Sequence, residues 1–221
     1  MPDQYCPSCG SAARSIDAFC RGCGCALTDD ALAAGPIAVA EALVERGFLD
    51  EAVATVQRAL SEAETPELHL ALSTLYLRRG DGDGARRGLD RAIALDASCA
   101  VAHAFVAGMD LHAGRVVEAQ ERLDHARDLA PDDLIVRVKR AEFWLRLGIF
   151  DNARAELRHA LRNGGGSPQN RAIAEAMFAS IEKRSRGSFT RKMVALPTFA
   201  AARKLFRHGT ARDAAPAEAE A

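Results

Sequence analysis

The sequence predicts an all-helical chain built from about four copies of one helical hairpin, stacked as an α-solenoid. Glycines recur at nearly constant spacing, at Gly80, Gly114 and Gly148. Apolar side chains recur at helical spacing on both sides of Gly114, as expected for two amphipathic helices joined by a short turn. Two alanine registers repeat with the same period, namely Ala85, Ala119 and Ala153, and Ala92, Ala126 and Ala160. Such a period indicates a solenoid, because no single hairpin can bury its apolar stripe alone.

The composition agrees with this prediction and limits the possible functions. The 221 residues are 48% hydrophobic and only 5% aromatic, and alanine, a strong helix former, is plentiful. The net charge of -1 creates no whole-protein field that would attract nucleic acid. No apolar run reaches the ~20 residues of a membrane-spanning helix, and the N-terminus lacks the pattern of a signal peptide. We therefore expect a cytoplasmic protein.

The first 27 residues contain two cysteine pairs, each with two residues between its members and a glycine after it. The pairs are Cys6 with Cys9 and Cys20 with Cys23, and ten residues separate them. Four thiolates at this spacing can close a tetrahedral shell around zinc. Within the domain of residues 1–27, about residues 4–25 resemble a short zinc ribbon, and the resemblance implies zinc as a cofactor.

A structural role is the favoured interpretation of this cluster, because a four-cysteine site is coordinatively closed and the module is too small for a core of its own. Contact with nucleic acid is disfavoured, since only Arg14 and Arg21 are basic here. A redox dithiol is disfavoured because no βαβ pattern follows, and zinc is preferred to iron. Whether Cys25 replaces Cys23 as a ligand stays open.

Residues 28–36 form a predicted linker, and residues 37–167 contain the repeats. With Ala100 as position 1, small residues occupy positions 8, 20 and 27, and Pro131 occupies position 32. These positions resemble the tetratricopeptide repeat family. Further units begin at Pro66 and Leu134, and a weaker one begins near Ala33.

The resemblance implies that the first helix of each unit lines a concave groove that binds a peptide or a helix of a partner protein. Position 13 of the three clearest units would form a basic ladder of Arg78, His112 and Arg146. The alternative is that some apolar groove residues pack against neighbouring helices. The residues expected to contact a partner are Leu70, Thr74, Leu77, Arg78, Leu111, His112, Glu142, Leu145 and Arg146.

We find no pattern in the sequence that predicts catalysis. It contains no nucleophile elbow, phosphate-cradling glycine loop or paired-carboxylate site. The histidines follow the repeat, and no two lie within one helical turn along the sequence, so we expect solvated positions on helix surfaces. We therefore expect no enzymatic activity and no small-molecule substrate. The pattern of lysine, asparagine and arginine with which some family members hold a chaperone's C-terminal carboxylate is also missing.

The C-terminal part separates into a helix and a basic tail. Ser167 and Pro168 predict the start of a capping helix over residues 168–186. Residues 183–212 include nine Lys or Arg and no acid, and residues 213–221 include three acids; with a net charge of -1 for the whole chain, residues 1–182 carry a charge of -7. Apolar residues interleave with these charges, and residues 187–221 are predicted to be an amphipathic tail with a disordered end. The residues expected to dock are Arg191, Lys192, Phe199, Arg203, Lys204, Phe206 and Arg207.

Two classes of function are compatible with these features. The first is a non-enzymatic adaptor that binds a protein or peptide in the groove, with the zinc ribbon as a stabilising element. The second is a protein associated with nucleic acid or an anionic membrane surface through its ribbon and its basic tail.

Overall fold

The computed structural model describes residues 4–5, 12–13, 18–20, 35–163 and 165–186. Over these ranges the chain forms nine helices and one short antiparallel sheet. The packing divides the chain into two compact units, Met1–Ala102 and His103–Ala221. The helical class predicted from the sequence is confirmed over residues 35–163 and 165–186.

Consecutive helices form four hairpins, and a terminal helix follows them. The two strands are β1 (Gln4–Tyr5) and β2 (Ala12–Ala13), with Gln4 opposite Ala13 and Tyr5 opposite Ala12. The hairpin helices are α1 (Gly35–Glu45) with α2 (Leu49–Glu62), α3 (Pro66–Arg79) with α4 (Gly82–Leu95), α5 (Ala100–His112) with α6 (Val116–Leu129), and α7 (Leu134–Arg146) with α8 (Phe150–Asn163); the terminal helix is α9 (Pro168–Arg186). Helix α1 begins inside the predicted linker, because Pro36 is compatible with a first helical turn.

Every hairpin turns at a glycine in the left-handed conformation, as the glycine spacing predicts. The amide of the following residue donates to the carbonyl five residues earlier, at 2.9 Å in all four turns. This is the Schellman arrangement that ends many helices. Side chains disfavour positive φ, so glycine is the natural residue here. The φ angles are 85° at Gly47, 83° at Gly80, 80° at Gly114 and 72° at Gly148.

Several helices begin with a side chain that caps a free backbone amide, which stabilises a helix start by roughly 1 kcal/mol. The N-cap predicted at Ser167 is observed, since its hydroxyl accepts from the amide of Asn170 at 3.2 Å. The other caps are Thr65 on the amide of Leu68, Asp81 on the amide of Gly84 and Asp133 on the amide of Val136.

In the first unit, α1, α2 and α3 surround one apolar core, and the N-terminal segment contributes to it. Phe19 is 7% exposed and belongs to the same cluster as Leu43, Val56 and Leu72. Cys20, the next residue, is fully buried. Burial of a phenylalanine side chain contributes about 1.5–3 kcal/mol. Phe19 and Cys20 are therefore part of the folded body of this unit, which the cysteine spacing alone did not predict.

In the second unit, small residues let paired helices approach closely. Ala107 and Ala119 are fully buried, and so are Ala141 and Ala153. Helix α9 packs against α8 and α7 and buries Ala174 and Ile181. An ion pair between Arg154 and Glu182 at 2.8 Å adds to the contact of α8 with α9.

A buried arginine connects three helices of this second unit. Arg140 of α7 is 5% exposed and donates to Asp124 of α6 at 2.6 Å and to Glu156 of α8 at 2.8 Å. Arg137 also donates to Glu156, at 2.7 Å. Burial opposes the charge of Arg140, but the two carboxylates outweigh it and raise the pKa of the guanidinium. Loss of one partner from such a network typically costs about 3–5 kcal/mol.

The left-handed turns give a matched pair of glycine substitutions in one repeat. A Cβ added at Gly114 or at Gly108 would meet no atom within 4 Å, but only Gly114 has a positive φ. We expect Gly114→Ala to lower the free energy of unfolding by about 1–2 kcal/mol, and Gly108→Ala, inside α5, to raise it by up to about 1 kcal/mol. Urea unfolding of both variants measures these shifts. Midpoints that move in the same direction would contradict the assignment of the turn.

Candidate functional site

Helices α5 and α7 lie side by side in the second unit and present several of the residues predicted to contact a partner. The guanidinium Nη2 of Arg146 donates to the ring Nε2 of His112 at 2.6 Å. Lys139 of α7 lies over the ring of Phe105 of α5, 4.8 Å from its centroid. The structure thus brings together His112 and Arg146, two members of the predicted basic ladder. We call this surface the α5/α7 face. It consists of Phe105, Gly108 and His112 of α5 and of Lys139, Glu142, Leu145 and Arg146 of α7.

Above about pH 6.5, the pair of His112 and Arg146 has one charge rather than two. Partial burial of the imidazole and the positive charge of Arg146 lower the pKa of His112, against the opposing influence of Glu142. A neutral imidazole has a free lone pair on Nε2 that accepts the hydrogen bond from Arg146. His112 therefore orients the guanidinium without neutralising it.

The other groups around this pair are paired or apolar. Lys139 donates to Glu142 at 2.9 Å, so these two charges offset each other. Leu145 is half-buried and Arg146 is exposed. Across the α5/α7 face, Gly108 leaves open space beside α5. The result is a partly apolar surface next to an oriented cation.

The remaining predicted contact residues divide between exposed and buried positions. In the first unit, Leu70, Thr74 and Leu77 of α3 are half-buried and Arg78 is exposed. The hydroxyl of Thr74 donates to the carbonyl of Ala71 at 2.8 Å, within the same helix. Leu111 of α5 is only 3% exposed, so its side chain belongs to the packing, as the alternative interpretation of the groove residues allowed.

The expectation of solvated histidines is wrong for His103. This side chain of α5 is 8% exposed, and its ring meets the ring of His125 of α6 edge to face, with 4.8 Å between centroids. The two residues are far apart in sequence, so spacing within one helical turn does not predict their contact. They occupy positions 4 and 26 of one repeat, which the fold places on facing helices.

The first unit also contains a polar cluster that the sequence pattern did not predict. Glu64, just before α3, accepts from Arg91 of α4 through two bonds of 2.8 Å and is 2.8 Å from Nε2 of His69. The hydrogen bonds from Arg91 and His69 lower the pKa of Glu64 to about 2. A similar contact joins Asp132 to His159 of α8 at 2.6 Å. Both contacts span 27 residues, a shared spacing that the sequence contained.

The predicted zinc ligands cannot be compared with the structure as a set. Cys20 is described and buried, whereas Cys6, Cys9 and Cys23 lie outside the described residues, as do Cys25 and the predicted docking residues of the tail. Over the described ranges, no three His, Cys, Asp or Glu side chains form a group suited to a metal ion. The same part of the chain holds no helix with the length and apolar character to cross a bilayer.

Comparison with known sequences gives no family assignment. No protein-family profile matches the chain, and no curated protein has a detectably similar sequence.

Solved structures do resemble the fold. TTC0263, a thermophilic tetratricopeptide repeat protein of Thermus thermophilus, matches with a TM-score of 0.55 and 19% identity over 80% of this chain and 91% of its own. The pilF protein of Pseudomonas aeruginosa matches with a TM-score of 0.51 and 20% identity, over 68% of each chain.

A larger assembly contains a similar region. The Cut9–Hcn1 hetero-tetramer of the APC/C matches with a TM-score of 0.58 and 14% identity over 68% of this chain. The chain spans only 30% of the length of that match. These likenesses establish a tetratricopeptide-repeat-like fold for the described helices.

The contact between His112 and Arg146 makes a prediction about titration. We expect His112 to titrate below its ordinary pKa of about 6.5, because burial and the cation favour the neutral ring. The His112 imidazole of the unfolded chain then takes up a proton at higher pH than that of the folded chain. The stability that neutral His112 contributes is therefore complete above pH 6.5 and is lost as the pH falls through the lowered pKa. Arg146→Gln should raise the midpoint, while the remaining burial keeps it below 6.5.

Nuclear magnetic resonance of the ring carbons measures that midpoint directly. Arg158→Gln, which removes an exposed arginine from α8, is the matched control and should leave the His112 midpoint unchanged. A midpoint at or above 6.5 in the unaltered chain would contradict the assignment of a neutral acceptor.

Proposed function

We propose that this chain is a non-enzymatic protein-interaction adaptor that binds a peptide or helix of a partner on the first helices of its repeats. The observation that carries the proposal is the α5/α7 face, where a half-buried leucine and open space lie next to an oriented arginine. Leu145 offers apolar contact and Arg146 offers charge-assisted hydrogen bonds. An amphipathic helix or extended peptide uses both kinds of contact when it lies in a groove.

The tetratricopeptide-repeat-like fold supports this proposal because the same hairpin recurs, and equivalent positions therefore recur on the first helix of each repeat. In the first unit, α3 presents Leu70, Thr74, Leu77 and Arg78 at the equivalent positions. A partner that contacts the first helices of consecutive repeats gains affinity from many weak contacts, and no deep pocket is needed.

We further propose that residues 1–27 form a zinc ribbon with Cys6, Cys9, Cys20 and Cys23 as ligands. The described part of this segment fits a structural site. Strands β1 and β2 pair on either side of the first cysteine pair in sequence, and the thiol of Cys20 is shielded from solvent next to the buried Phe19. Zinc there would cross-link a segment that is too short to fold alone.

The basic tail supports an alternative in which residues 187–221 attach the chain to nucleic acid or to an anionic membrane. Six of the nine basic residues of 183–212 lie in this tail, whereas residues 1–182 carry a charge of -7. Binding of this kind weakens steeply with salt and would be lost when the chain is truncated after Gly187.

The adaptor proposal is tested by an obstruction in the α5/α7 face. Gly108→Trp fills space that is open beside α5, while Ala155→Trp places the same side chain on the exposed surface of α8. We expect proteins captured by the unaltered chain from native lysate to be lost with Gly108→Trp and retained with Ala155→Trp, as measured by quantitative mass spectrometry. Equal capture by both variants, with equal thermal stability, would reject this face as the binding site.

The zinc proposal is tested by metal analysis of the purified chain. We expect about one zinc per chain, none in Cys20→Ser, and full occupancy in Cys99→Ser, which alters a cysteine of the repeats. The repeats of Cys20→Ser should remain helical, but the first unit should melt at lower temperature because Phe19 and Cys20 are buried in it. Unchanged zinc content in Cys20→Ser would overturn the ribbon assignment.

A further inference from the structure

Arg146 is held by a neutral acceptor in a part of the molecule where arginines mostly have carboxylate partners. Arg115 and Arg122 both pair with Asp110, and Arg140 pairs with Asp124 and Glu156. Within the described ranges, no carboxylate lies within 4.0 Å of the Arg146 guanidinium. Among the described residues, the Arg146 guanidinium is thus oriented by His112 and has no carboxylate partner.

The position of Arg146 matters because an exposed arginine is normally mobile. Ordering a long side chain costs rotamer entropy on binding, and the bond of 2.6 Å to His112 removes part of that cost in advance. A planar guanidinium has five N–H donors. One of them is used by His112, so others remain for a ligand.

We propose that Arg146, oriented by His112, binds one carboxylate of an acidic peptide whose neighbouring apolar side chain packs on Leu145. The inference rests on the proposed function, since it places the partner on the α5/α7 face and names the chemistry that is recognised there. A carboxylate can accept two parallel hydrogen bonds from a guanidinium, which gives such a pair its direction and strength.

The local charge favours a monoanion over a phosphate dianion. Glu142 and Lys139 neutralise each other at 2.9 Å, and His112 is neutral, so Arg146 supplies the net positive charge of this group. Glu142 is also close enough to influence the titration of His112, and its carboxylate would repel a second negative charge on the ligand.

The experiment compares two small probes that differ in one charge. N-acetyl-leucyl-glutamate amide and its glutamine counterpart are titrated into the full chain at pH 7.5, and the side-chain signals of Arg146 and His112 are followed by nuclear magnetic resonance. Since the pair is exposed and screened by water, we expect the glutamate probe to bind only about three- to tenfold more tightly. In Arg146→Gln that preference should disappear, whereas Arg158→Gln should retain it.

The possible results distinguish a failure of the carboxylate site from a failure of the proposed adaptor function. Equal binding of the two probes, or a glutamate preference that persists in Arg146→Gln, would overturn the carboxylate site. Tighter binding of inorganic phosphate than of the glutamate probe would overturn the monoanion specificity. If the probes fail in this way while Gly108→Trp still abolishes partner capture, the adaptor function stands and only its acidic ligand is rejected.

Discussion

The left-handed glycine that ends the first helix of each hairpin is the constraint on which the repeat packing depends. The same backbone hydrogen bond of 2.9 Å closes the turn after Gly47, Gly80, Gly114 and Gly148. Because this turn is tight, the second helix must fold back directly on the first, and the helices then meet where their side chains are small. The fully buried alanines at 107 and 119, and at 141 and 153, follow from this geometry. A larger side chain at any of them would force the hairpin apart against its own turn.

This constraint explains why so much of the fold could be predicted from the sequence. Glycine and alanine act through the backbone and through their small size, so their positions specify turns and close contacts with few alternatives. Long polar side chains are different, because each can reach several partners. Arg140 has acidic partners 16 residues away in both directions along the chain, and no local pattern selects Asp124 and Glu156. For the same reason the sequence placed His112 and Arg146 on one ladder but did not predict that the imidazole would be the acceptor.

The repeat period offers one route to such contacts. Glu64 with Arg91 and Asp132 with His159 share a spacing of 27 residues, and each connects the start of a hairpin to its second helix. The ligand sites of a repeat protein can be considered in the same way, since equivalent positions in different units face equivalent space. Position 13 holds Arg78, His112 and Arg146. In the second compact unit, the histidine of one repeat accepts a hydrogen bond from the arginine of the next repeat. A histidine in place of an arginine at this position therefore orients one cation instead of adding another.

The first and last hairpins both need something to cover apolar surface that another repeat would otherwise bury, and the chain meets this need in two ways. Helix α9 buries Ala174 and Ile181 against α7 and α8, which continues the helical packing. In the first unit, Phe19 enters the core of α1, α2 and α3 from the segment before α1, which is too short to have a core of its own. Such a segment holds an aromatic ring in place only if something else orders it. A zinc ion bound by cysteines that precede and follow Phe19 in sequence would do so. By mass action, its binding energy would then stabilise the first repeat as well as the ribbon.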